Sequence, residues 1–139
     1  MSSTFVKHSI TTELANRIIA AATAKAVELD LRVSIAVVDE SGLLKSFTRM
    51  DGANVAGMQA AQDKAYTAVM YQWDTALWAT YLESSHVLRV GAANYDRLNV
   101  YAGGCVIRVA GELVGAIGVS GAGIEEDAAI AGVWSDVVG

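Results

Sequence analysis

The chain lacks several residue types, and each absence excludes a class of protein. Its 139 residues include no proline and one cysteine, Cys105. A single cysteine cannot form an internal disulfide or a cysteine-based zinc site, which is typical of a reducing compartment. Residues 1–7 contain no basic stretch followed by an apolar segment, so we expect no secretory signal and a cytoplasmic protein.

Long apolar runs and basic runs are also missing. The uncharged stretch over residues 113–124 is far shorter than the roughly 20 apolar residues of a membrane span, so we expect no membrane association. The net charge is −5, and residues 71–139 hold three basic and eight acidic side chains. We therefore expect no binding to nucleic acid. The two histidines and the cysteine lie at no spacing typical of metal ligands, so no metal site is expected.

The residues that are present indicate one folded domain over 1–139. Apolar residues make up 53% of the chain and charged residues 18%. A high apolar fraction in a small acidic chain favours a homo-oligomer, a dimer or larger. Hydrophobic spacing and turn residues predict, in order, a helix over 12–29 capped by Thr11, a hairpin over 33–50, helices over 54–71 and 72–82, a hairpin over 105–120 and a helix over 124–137.

The order α-β-β-α-α-β-β-α predicts an α+β fold, with helices flanking a central antiparallel β-sheet. Gly115, Gly118 and Gly121 recur at every third residue in and just after the second hairpin. Because glycine weakens a strand unless another backbone or a ligand approaches closely, this spacing predicts a strip of close contacts.

Four blocks of sequence, in this order, resemble the GlcG/HbpS family of heme-binding-like proteins, which is also similar to the C-terminal domain of PduO-type proteins. The blocks are SIAVVD at 34–39 with RMDGA at 49–53, DKA at 63–65, the glycine pair at 103–104, and GAIGVSGA at 115–122 followed by Asp127. The resemblance implies a profilin-like or PAS-like α+β domain that assembles into dimers or larger rings. It also implies heme or corrinoid binding, redox sensing, or a role in a catabolic pathway.

The chain departs from the family in its middle segment. A proline normally follows the glycine pair, whereas here Cys105 does. Residues 71–74 replace the proline-containing loops that the family has after the central helix, and seven of the ten aromatic residues lie between Tyr66 and Tyr101. This concentration indicates either a covered core or subunit interface, or a pocket for a planar organic ligand.

Several residues are candidates for ligand binding, each with a structural alternative. Arg49 could hold a carboxylate through its planar guanidinium. The aromatic residues and the glycine-rich end of the second hairpin would form the walls and an anion site. The ligand candidates are Arg49, Tyr66, Trp73, Trp78, Gly118, Ser120 and Gly121. The alternatives are a strand-to-helix turn at 49–52, in which Asp51 caps the helix, and ordinary packing elsewhere.

Candidates for acid–base catalysis are Asp51, Lys64, His86, Glu126 and Asp127. Burial could shift the pKa of the lysine or of a carboxyl toward neutrality. Their structural alternatives are a helix cap, a solvated or ligand-anchoring lysine, a surface histidine, and acidic residues matched to a helix dipole. His86 is also the candidate axial ligand if the chain holds a heme iron.

Two functions are therefore expected from the sequence. The first is an oligomeric small-molecule-binding protein that holds a heme, another tetrapyrrole or a different largely apolar ligand with an acidic group. Arg49 and Lys64 would form ion pairs with that acidic group. The alternative is a catabolic enzyme without a required cofactor, a lyase, isomerase or hydrolase, that acts on a small apolar substrate. Two polar candidates converging inside an apolar cavity would favour the enzyme.

Overall fold

The computed structural model describes residues 2–139 and confirms the α+β class. Within these residues the elements are α1 (Thr12–Glu28), β1 (Ser34–Asp39), β2 (Leu44–Arg49), α2 (Ala56–Tyr71), α3 (Trp78–Glu83), α4 (His86–Gly91), β3 (Gly104–Val109), β4 (Glu112–Ser120), α5 (Ile124–Ala131) and α6 (Trp134–Val138). Short 3-10 turns at Thr75–Leu77 and Ala92–Asn94 flank α3 and α4. No helix in this part of the chain has both the length and the apolarity that crossing a membrane requires.

The four strands form one antiparallel sheet in the order β2-β1-β4-β3. The two predicted hairpins, β1-β2 and β3-β4, lie side by side because β1 pairs with β4, with Ser34 opposite Ser120. The expected antiparallel sheet is therefore confirmed, and β2 and β3 form its two edges.

Helices cover both faces of the sheet. The main core lies between one face and α1 with α5, and its largest fully buried side chains include Ile18, Ile35, Ile117 and Ile130. Alternate strand residues point to opposite faces, so the other face carries Val38 and Ala116 against Ala65, Ala68 and Val69 of α2. The second interface is built mostly from alanine, which lets α2 lie close to the sheet.

Gly118 is the position where this closeness is greatest. A Cβ there would collide with the Ala61 carbonyl oxygen and come within 2.6 Å of the Ala65 nitrogen. Gly115 instead approaches the Val38 carbonyl, and Gly121 approaches Arg32 and Val33. The expected single strip was wrong, because a spacing of three cannot keep strand residues on one face. The glycines make three separate close contacts.

Three other local predictions needed correction. The last helix breaks at Gly132 and Val133 into α5 and α6. Residues 72–82 form no continuous helix, because α2 ends at Gln72 with a positive φ of 62° before the 3-10 turn and α3. Asn54, not Asp51, caps α2: its side-chain oxygen accepts a 2.7 Å hydrogen bond from Gly57 N–H.

Candidate functional site

An aromatic groove lies where α3 and α4 meet the end of α2. Four pairs of rings pack edge to face: Tyr71 with Trp78, Trp73 with Trp78, Trp73 with Tyr81 and Trp78 with Tyr81, with centroids 5.0, 5.2, 5.3 and 5.7 Å apart. The groove has a volume of about 480 Å³ and is lined by Tyr71, Trp73, Trp78, Tyr81, Leu82, Val87, Leu88, Gly91, Ala92, Asn94, Tyr95 and Leu98. The structure thus brings together two of the predicted ligand residues, Trp73 and Trp78.

Hydrogen bonds to the edge strand β3 hold one wall of the groove in place. The Asp74 carboxylate accepts a 2.9 Å hydrogen bond from Val106 N–H, and the Thr75 hydroxyl oxygen accepts one of 2.8 Å from Gly104 N–H. These side chains satisfy donors that an unpaired sheet edge would otherwise leave open. The segment between Trp73 and Trp78 is therefore fixed to the sheet.

The groove has an exposed apolar rim, and two indole N–H groups are buried in its wall. Val87 and Tyr95 are 76% and 60% exposed. The indole N–H groups of Trp73 and Trp78 are buried and have no hydrogen-bond partner among residues 2–139.

Arg97 stands beside the aromatic groove. Its guanidinium carbon lies 3.9 Å from the centroid of the Tyr66 ring, and its Nε donates a 3.0 Å hydrogen bond to the Asp63 carboxylate. Arg97 and Tyr66 line a second groove of about 530 Å³, which shares Tyr71, Tyr95 and Leu98 with the aromatic groove. Sequence reasoning missed Arg97, because it lies 34 positions from Asp63 and no short motif contains it.

Lys64 and Asp127 meet away from both grooves. Lys64 Nζ donates to the Asp127 carboxylate at 3.1 Å and to the Val119 carbonyl at 3.0 Å, and each side chain is 4% exposed. The other Asp127 oxygen accepts a hydrogen bond from Ala122 N–H. Burial raises the pKa of the Asp127 carboxyl, while the Lys64 ammonium and these hydrogen bonds oppose the shift. The pair joins α2 to α5 and touches no cavity described above.

The remaining candidates are dispersed. Asp51 and Glu126 are exposed, and so is Arg49 at the end of β2. His86 is exposed as the first residue of α4, next to Val87 of the groove wall. Ser120, which ends β4, is half-buried beside Gly121. The structure places neither Arg49 nor Lys64 among the residues that line the aromatic groove.

Cys105 lies in β3 and is buried against the main core. Burial, followed by the nearby Asp74 carboxylate, raises the pKa of its thiol to about 12. A thiol with such a pKa is a poor nucleophile at neutral pH. Among residues 2–139, no group of three or more histidine, cysteine or acidic side chains is placed to hold a metal ion.

Comparison with known sequences identifies relatives across most of the chain. The model of a family described as "Haem degrading protein HbpS-like" matches residues 10–133. An uncharacterized 15.0 kDa protein from the dhaT-dhaS intergenic region of Citrobacter freundii is 32% identical over 130 residues, which are 88% of this chain and 87% of that protein. Protein GlcG of Escherichia coli K12 is 32% identical over 108 residues, 78% of each chain.

Solved structures agree with the sequence comparison. The Klebsiella pneumoniae protein ORFY superposes with a TM-score of 0.91 at 27% identity, over 99% of this chain and 96% of that one. A double mutant of Streptomyces reticuli HbpS gives a TM-score of 0.88 at 29% identity, over 100% and 93%. A PduOC:heme complex shares the fold, with a TM-score of 0.85 at 23% identity over 93% and 94%. The chain belongs to the HbpS-like family.

Proposed function

We propose that this protein binds a planar, largely apolar organic ligand in the aromatic groove, with heme as the first candidate. The observation that carries the proposal is the concave wall of Trp73, Trp78 and Tyr81, open to solvent at an exposed apolar rim. Its volume of about 480 Å³ lies in the range of small-molecule pockets. Aromatic rings offer flat apolar surface against which a conjugated ring system packs.

The comparisons with known proteins support the choice of ligand. The family description refers to heme, and a protein of the same fold has been crystallised as a heme complex. The aromatic groove offers the flat apolar surface that such a ligand would need.

His86 is the residue that would ligate the heme iron. It begins α4 directly before Val87 and Leu88, two residues of the groove wall. The other histidine, His8, lines a different groove of about 300 Å³ beside Ile10, Leu14 and Val114. The two histidines therefore offer a test pair, since only His86 is next in the sequence to residues that line the aromatic groove.

The proposal includes self-association of the chain. Exposed large apolar side chains occur outside the groove as well, among them Val27 of α1 and Val55 just before α2. Association of two chains would remove such side chains from water. Light scattering on the purified protein would give a mass above that of one 14.6 kDa chain.

The alternative of a catabolic enzyme gains no geometric support. Of the five acid–base candidates, Lys64 and Asp127 alone are in contact within the described chain, and their ion pair is buried away from the grooves described above. Asp51, His86 and Glu126 are separately exposed. A substrate in the aromatic groove would meet neither member of the buried pair, so we propose no acid–base reaction.

An absorbance titration with hemin tests the binding proposal. Leu88→Trp would fill the groove from its half-buried wall, and Leu44→Trp is the matched control on an exposed edge strand. We expect a saturable Soret band at one hemin per chain in the wild type and in Leu44→Trp, and a weakened band in Leu88→Trp. His86→Ala should change the band while His8→Ala leaves it unchanged. Equal bands in both tryptophan variants, or no saturable band in the wild type, would reject the groove as the heme site.

A further inference from the structure

Arg97 is held rigidly by three elements of its surroundings. The Thr67 hydroxyl donates a 3.0 Å hydrogen bond to the Arg97 carbonyl, which fixes the backbone. The Tyr66 ring lies under the guanidinium plane, and Asp63 accepts the hydrogen bond from Nε. Gln59 Nε2 in turn donates to the same Asp63 oxygen at 3.0 Å. An arginine stacked and bonded in this way loses little freedom when it binds an anion.

The terminal nitrogens of Arg97 are available. Throughout residues 2–139, no carboxylate or carbonyl accepts a hydrogen bond from Nη1 or Nη2, although Nε is bonded to Asp63. The side chain is 41% exposed and lines the second groove. A guanidinium with two free terminal donors matches the two oxygens of a carboxylate.

The two grooves are neighbours, because Tyr71, Tyr95 and Leu98 line both. A flat ligand that packs on Trp73 and Trp78 and spans these shared residues would bring one side toward Arg97. Asp96 also lines the second groove, and as an exposed carboxylate it repels an anion weakly. Because Asp63 offsets part of the arginine charge, hydrogen-bond geometry contributes more here than net charge.

We propose that Arg97 binds a carboxylate at the edge of the ligand, so that the site selects planar apolar compounds that carry a carboxylic acid over their neutral esters. This inference rests on the proposed function, since the aromatic groove must hold the body of the ligand. It gives Arg97 the role expected of Arg49 and Lys64 from the sequence. Arg49 lies at the end of an edge strand, and Lys64 is bonded to Asp127.

Binding of an iron-free porphyrin pair tests the carboxylate subsite. The probes are mesoporphyrin IX, which carries two carboxylates, and its dimethyl ester, which carries none; without iron, His86 contributes no metal bond. Quenching of tryptophan fluorescence reports binding, because Trp73 and Trp78 line the groove. We expect Arg97→Met to weaken binding of the diacid about tenfold or more, since a charge-assisted bidentate pair is lost. Binding of the ester should not change.

Three variants complete the experiment. Arg108→Met removes an exposed arginine of β3 and should leave both affinities unchanged. Arg97→Lys keeps the charge without the planar fork and should recover part of the loss, and Asp96→Asn should tighten diacid binding. If Arg97→Met weakens both probes equally, or neither, the carboxylate subsite is wrong while the groove stands. If neither porphyrin binds the wild type, the groove itself is rejected, and the subsite with it.

Discussion

Replacing Lys64 by methionine should destabilise the protein strongly at neutral pH. The ammonium supplies a 3.1 Å hydrogen bond to Asp127, and both side chains are 4% exposed. Its removal leaves a buried carboxylate with the Ala122 N–H as its remaining donor in the described chain. Breaking a buried pair from one side costs about 3 to 5 kcal/mol. The free energy of unfolding, measured by urea denaturation at pH 7, should fall by that amount.

The pH dependence of this variant follows from the Asp127 carboxyl. Burial raises the pKa of Asp127 even with Lys64 present, and loss of the ammonium removes the main opposing influence. The folded variant then binds a proton that the unfolded chain releases at lower pH. The free energy of unfolding is therefore highest below the pKa that Asp127 has in the unfolded chain. It decreases as the pH rises from there through the pKa of Asp127 in the folded variant, by at most about 1.4 kcal/mol per pH unit.

The double variant separates loss of the pair from loss of packing. Lys64→Met with Asp127→Leu leaves no uncompensated charge, so most of the lost stability should return. The free energy of unfolding of the wild type, the single variant and the double variant is compared by urea denaturation between pH 5 and 8, at intervals of roughly one pH unit. A Lys64→Met variant that loses under about 1 kcal/mol, shows no added pH slope, or is not rescued by Asp127→Leu would refute the reasoning.

Three further outcomes are expected from local contacts. Gly118→Ala should lower the free energy of unfolding by about 1 to 3 kcal/mol, because the added Cβ collides with α2. Gly91→Ala should not lower it, because a Cβ there meets open space. Urea unfolding of both variants tests this prediction. Asn54→Ala removes the cap of α2 and should lower the free energy of unfolding by about 0.5 to 2 kcal/mol, whereas Asp51→Ala should leave it unchanged in the same assay. Cys105, with a thiol pKa raised to about 12, should react with a thiol reagent at pH 8 only when urea unfolds the protein; rapid labelling of the native chain would contradict this.

The regular elements were predictable because their sequence patterns are local. Helical spacing located α1 and the cap at Thr11, whose side chain accepts a hydrogen bond from Leu14 N–H. Runs of β-branched residues around turn residues located both hairpins, and the order of the elements predicted the antiparallel sheet, as the family resemblance also did. These patterns depend on neighbours a few residues apart, which the sequence displays directly.

The site was less predictable because it depends on contacts between distant segments. Trp73 and Trp78 were identified by their type, but the wall that they form is held by hydrogen bonds from the backbone of β3 to Asp74 and Thr75, about thirty residues away. Arg97 becomes important only when the fold places it on Tyr66. No local signal in the sequence distinguishes it from an ordinary surface arginine.

Lys64 illustrates a different limit. The sequence shows a lysine in an apolar helix, which fits a solvated or ligand-anchoring residue better than a catalytic one. The choice depends on whether a counter-ion reaches it, and Asp127 lies 63 positions away along the chain. A resemblance that includes both residues did not indicate that they pair.

The most direct test of ligand binding in the aromatic groove is a crystal structure of the protein grown with hemin. The expected result is a porphyrin between α3 and α4, packed on Trp73 and Trp78 with a propionate on the terminal nitrogens of Arg97. A porphyrin bound elsewhere, as in the groove beside His8, with the aromatic groove left open, would contradict it.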